Sequence, residues 1–154
     1  RRGSDPGERE ALRRRCLNVI HEGLRRLGAP DPAALEDEGG FIHYAVGSIR
    51  CTIGIVAVDD RDLFLVYAPI MDLPSDGDLI LPLYRLLLEL NNRFELSIAK
   101  FGLHGDTVFL SAMRHLDGLD PAEVEDMIRW VSGFADDMDD RLIVEFGGTT
   151  RQRG

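Results

Sequence analysis

The chain has 154 residues, 18 Lys+Arg against 27 Asp+Glu, a formal net charge of -9 and 44% hydrophobic residues. That length and mixture suit one folded domain able to bury roughly 70% of the surface its unfolded chain exposes, and they exclude a disordered or collagen-like chain. The acidity opposes non-specific nucleic-acid binding, no apolar run approaches the ~20 residues of a membrane span, and two cysteines cannot build a disulfide framework.

No secretory leader is read at the N-terminus, which is charged and lacks an apolar core, so a reducing cytoplasm is the expected location. Charge is unevenly spread: residues 1–28 carry +4 and residues 116–140 carry -8. Residues 1–7 are expected to form a flexible N-terminus, native or vector-derived, residues 8–146 a single domain, and residues 147–154 a flexible tail.

A first helix is predicted from Pro6 to Leu27, since Leu12, Cys16, Val19, Ile20, Leu24 and Leu27 share one face at 100° per residue. Gly28 stops it, and Pro30 and Pro32 keep it from resuming. An acidic connection over residues 33–40 precedes three strands, at 41–46, 49–58 and 63–71, rich in β-branched and aromatic residues. Gly47-Ser48 suits a type II′ hairpin between the first two. The second strand is apolar on both faces, with Cys51, Ile53 and Ile55 on one and Val56 and Val58 on the other, and predicts packing on each side.

Pro82 marks the first turn of a second helix reaching Asn91 or Asn92, either of which could end it in the left-handed conformation. Residues 95–103 and 107–114 form a second hairpin. Asp120-Pro121-Ala122-Glu123 combines an N-cap, a first-turn proline and a capping box, and starts a third helix running to about Leu142. The order α-β-β-β-α-β-β-α reads as α+β with an antiparallel sheet. The basic first helix and acidic third helix would complement one another if packed side by side.

Little in the chain points to chemistry. Residues 72–83 fail as a calcium loop, having Pro74 and Leu83 where ligands are required. Asp136, Asp137, Asp139 and Asp140 read as a solvated helix face rather than a cation site. The four histidines have no metal-ligand spacing and no phosphate loop exists, so no metal or cofactor is expected. A small enzyme using His43, or His115 beside Asp117, is the weakest reading. Cys16 lies on an apolar helix face, as a packed thiol does.

The second helix is the anomaly. Leu83, Leu86, Leu87, Leu90 and Phe94 fill the arc one core contact needs, and Leu81, Tyr84 and Leu88 extend the apolar surface to about 200°. Either the acidic connection or another helix covers this second arc, or it is the centre of a two-fold homodimer. Six such side chains would contribute ~9–18 kcal/mol on full burial. The association cost is ~4–15 kcal/mol.

From residue 79 to 147 the chain resembles a known family. The run Leu83-Tyr84-Arg85-Leu86-Leu87-Leu88-Glu89-Leu90-Asn91, the hairpin through Phe101 and Leu110, and the Asp120-capped acidic helix are similar to YbjN-domain proteins. These are grouped with the type III secretion chaperone-like (Tir chaperone) superfamily, sometimes labelled sensory-transduction regulators, and the actinobacterial branch is nearest in pattern. The resemblance implies an α+β fold with a five-stranded antiparallel sheet and a non-enzymatic, cofactor-free homodimer. That dimer would hold an extended segment of a partner protein, as a chaperone or adaptor does. The alternative is a regulator of sensory transduction acting through the acidic third helix.

Overall fold

The computed structural model describes residues 5–147. Helix α1 spans Pro6–Leu27: the Asp5 carboxylate accepts from the Gly7 N–H, Pro6 opens the first turn, and Gly28 ends the helix at φ 112°, where its N–H reaches the Arg25 and Leu24 carbonyls. Strands β1 (Ile42–Val46), β2 (Ile49–Val58) and β3 (Arg61–Asp72) form a meander, followed by helix α2 (Ile80–Asn91), strands β4 (Lys100–His104) and β5 (Thr107–His115), and helix α3 (Pro121–Phe146). The five strands form one antiparallel sheet in the order β1-β2-β3-β5-β4. The expected α+β architecture is the observed one.

Several boundaries differ from the expectation, each for a local reason. Val46 faces Ile49 across Gly47-Ser48 with Gly47 at φ 62°, the geometry a type II′ turn demands. The next hairpin is equally tight: Val58 faces Arg61, so only Asp59-Asp60 turn the chain and β3 starts two residues early. Asp59 takes φ 55°, a conformation Asp tolerates better than most residues. Pro69 sits beside a bulge in the β3–β5 ladder, a place where sheets tolerate proline.

Strand β4 begins at Lys100, not near residue 95, because Phe94–Leu96 winds into a 3-10 turn that drives Leu96 into the core. Neither asparagine ends α2 in the left-handed conformation. Asn92 stays right-handed, and the Asn91 carboxamide instead bonds both the N–H (2.6 Å) and the carbonyl (3.1 Å) of Phe101. Helix α3 continues past Leu142 because Phe146, four residues on, extends the buried stripe.

Helices α1 and α3 lie against each other and against one face of the sheet, and α2 sits beyond the β4 side. Between helices and sheet lies the core: Ile20, Leu24, Ile53, Phe64, Val66, Leu110, Ile128 and Val131 are all fully buried. The α1–α3 contact is closest at Gly23, where an added Cβ would stand 2.5 Å from Val124 Cγ1. The basic charge of α1 turns elsewhere: Arg9 and Arg13 close on Asp62 of β3.

Candidate functional site

Helix α2 shows why its apolar arc is so wide. Leu83 and Leu87 face the core, while Leu81 and Leu88 stand 77% and 70% exposed with Tyr84 half-buried between them. These three, with Arg85, Glu89 and Asn92, line a shallow apolar dish, and the Arg85–Glu89 ion pair (3.0 Å) edges it. Of the alternatives for this arc, cover by the acidic connection or by another helix does not occur among the described residues. The acidic connection forms a 3-10 turn at Pro32–Leu35 and bridges Glu36 to Ile42, which places it beside β1 at the far edge of the sheet from α2.

The second surface was hidden by its own pattern. Packing was expected on both sides of β2, yet both helices that cover the sheet lie on the face of Cys51, Ile53 and Ile55. No helix among the described residues lies on the opposite face. There Val56, Leu63, Leu65, Tyr67, Phe109 and Phe41 are only partly buried, and Met113 is exposed. Its floor is flat because rings lie on glycines. Phe41 covers Gly54, where a Cβ would meet its ring at 2.6 Å, and Phe109 covers Gly102 while stacking 4.7 Å from Tyr67. Signs of this face were present in the sequence as alternate Leu63, Leu65 and Tyr67, but a strand apolar on both faces reads equally as a doubly covered one.

Both sheet edges are partly closed to an added strand. Asn91 occupies the backbone groups of Phe101 on β4, and the Glu36 bridge, with the Asp37 N–H on the Phe41 carbonyl (2.8 Å), occupies the start of β1. A groove of about 380 Å³ also runs between α2, β4 and α3, floored by Leu90, Phe101, Phe134 and Met138 and rimmed by Arg93 and Arg141.

The histidines do not assemble a reaction centre. His43 bonds Asp37 (2.7 Å) and the Thr52 hydroxyl (3.2 Å), but the His43 and Asp37 side chains are 40% and 41% exposed, so no closed pocket holds them. Asp37 also accepts the Gly39 and Phe41 N–H groups, and its carboxyl is held below the usual range first by His43 and then by these amides. That makes it the organiser of the turn that delivers Phe41. No hydrogen bond among the described residues joins His115 to Asp117, and Arg114 reaches instead to Glu123. The acids of α3 are dispersed, with Asp136 accepting the Ser48 hydroxyl (2.6 Å) and Asp139 buried. No group of three metal-ligating side chains gathers among the described residues. Both cysteines are free and buried; desolvation raises the Cys16 thiol and pushes Cys51 up to about 12.

Residues 15–154 match a family model described as the T3SS (YopN, CesT) and YbjN peptide-binding chaperone 1 family, TY-Chap1. The chain belongs to this family. Similar folds occur in the crystal structure of the ExsC–ExsE complex (TM-score 0.65, 19% identity, 84% of this chain and 94% of that one). They occur also in the HopA1–SchA chaperone–effector complex (0.60, 11%, 80% and 92%). A third is the Yersinia pestis type III secretion chaperone SycH in complex with a fragment of YscM2 (0.55, 14%, 79% and 98%). At these identities the likeness is one of fold. No curated protein sequence matches the chain. No described helix is long and apolar enough to cross a membrane.

Proposed function

We propose that this TY-Chap1 member is a non-enzymatic, homodimeric protein-binding module, chaperone- or adaptor-like, that holds an extended segment of a partner protein. The observation that carries the reading is the uncovered apolar face of the sheet. A monomeric domain rarely leaves so much contiguous apolar surface in water unless something binds there. Membership of a peptide-binding family supports the same reading, as does likeness of fold to a chaperone–effector complex and to a secretion chaperone bound to a fragment of another protein.

The dimer is proposed through Leu81, Tyr84 and Leu88, whose exposure leaves this helix face without an intramolecular partner. The Leu88→Glu variant is expected to be monomeric in light scattering with unchanged far-UV CD; a wild-type monomer at micromolar concentration would overturn the dimer. An actinobacterial type is proposed from the resemblance of the residue 79–147 pattern, and the cytoplasm from the two free thiols. A second reading, regulation of sensory transduction through an acidic docking helix, draws on the exposed Asp126, Asp137 and Asp140 of α3. Its mark would be binding to a basic partner that weakens steeply with salt.

A further inference from the structure

The open face differs from the rest of the molecule in charge as well as in polarity. Following the ladder registers, the charged strand residues on its side are Arg50, Arg61 and Lys100 against one carboxylate, Asp72, which accepts the Thr107 hydroxyl (3.4 Å), and a second carboxylate, Asp37, joins this side at β1 through His43 (2.7 Å). The whole chain has the reverse balance, with 27 acids to 18 bases, and Lys100 is its single lysine. Arg61 and Lys100 are exposed and have no ion-pair partner among the described residues.

We infer that the open sheet face selects segments in which a short apolar stretch is flanked by carboxylates; this rests on the peptide-binding reading above. The spacing suits such an occupant. Tyr67, Leu65 and Leu63 alternate along β3 toward Arg61, a run of about 20 Å at ~3.3 Å per residue. Lys100 lies two strands from Tyr67 through Ser111, roughly 10 Å to the side. An extended segment along β3 therefore places apolar side chains over the Tyr67–Phe109 floor, one terminal carboxylate near Arg61 and another within reach of Lys100. The acidic helix α3 packs on the other side of the sheet from Arg61 and Lys100.

The test uses the full chain and three fluorescent peptides with one Leu/Val/Tyr core, flanked by Glu, Gln or Lys, followed by anisotropy. The Glu-flanked peptide is expected to bind about tenfold tighter than the Lys-flanked one at low salt, with the gap closing at high salt. The Arg61→Glu/Lys100→Glu variant, checked for folding by CD, is expected to reverse that order. Equal binding of all three peptides, or preference for Lys, overturns the charge selection and leaves peptide binding standing. Comparable binding of a single-stranded oligonucleotide also overturns it, since the face would then read anionic polymers at large. No binding by any peptide removes the peptide-binding reading and this inference with it.

Discussion

The tightest passage in the fold is where α1 crosses α3, and its tolerance can be worked out from the structure. Gly23→Ala would put a methyl carbon 2.5 Å from Val124 Cγ1, 2.7 Å from Val124 Cβ and 3.1 Å from the Pro121 carbonyl oxygen. Val124 is fully buried, and Pro121 belongs to the capped first turn of α3, so neither moves cheaply. Overpacking of this kind costs about 1–3 kcal/mol. Contacts of 2.5 and 2.7 Å put this site in the upper part of that range, ~2–3 kcal/mol, and the better helix propensity of alanine returns up to about 1 kcal/mol, leaving a net loss of about 1–2 kcal/mol. Gly133 of α3 is the internal control, because nothing lies within 4 Å of a Cβ there and Ala should stabilise by about 0.5–1 kcal/mol. Urea unfolding at constant m-value measures both. In the Gly23→Ala/Val124→Ala double variant the 2.5 Å clash with Cγ1 is removed although the Cβ contact stays, so the two losses should sum to more than the pair costs together. Gly23→Ala proteins as stable as wild type, or strictly additive losses, would refute the close crossing.

Two further outcomes follow from local chemistry. Asp62, 5% exposed, accepts two bonds from the Arg9 guanidinium (both 2.9 Å), which hold its carboxyl below the usual range against the opposing effect of burial. Because the folded value is depressed, this stabilisation is whole above the unfolded value of about 3.9 and is lost as pH falls through the folded one. Asp62→Asn should thus cost about 1–2 kcal/mol in urea melts at pH 7 and progressively less in acid, and a pH-independent difference would contradict the pairing. Ser97 holds φ 51°, ψ -116°, a region that favours glycine, so Ser97→Gly should raise the thermal midpoint by an amount equivalent to about 1 kcal/mol.

Most of the architecture was legible because its signals are local. Gly28, Gly47-Ser48 and the Asp120-Pro121 helix start each encode one backbone event, and the structure realises each, although the capping box is half made: Asp120 accepts the Glu123 N–H while the Glu123 carboxylate turns to Arg114. Longer-range outcomes were less legible. The start of β4 depended on Leu96 finding the core and on the Trp130 indole N–H reaching its carbonyl (3.1 Å), which no residue near position 95 announces. The fate of Asn91 turned on a carboxamide partner ten residues away. For the site, Leu81, Tyr84 and Leu88 stood out by angle alone, since an apolar arc about twice the width one contact needs is a local property of a twelve-residue helix. The open sheet face did not. Apolar residues on both sides of β2 and β3 state that two faces want cover, and only the tertiary arrangement reveals that α1 and α3 take the same one.

The central claim is that this uncovered face holds a peptide. Calorimetric titration of an uncharged, extended apolar peptide into the wild-type chain and into Met113→Gln, a variant at the exposed centre of the face, tests it most directly. Saturable binding to the wild type, weakened about tenfold in Met113→Gln with far-UV CD unchanged, is the predicted result, corresponding to about 1.4 kcal/mol of lost apolar contact. Equal affinity of the two proteins, or no binding to the wild type, would contradict it.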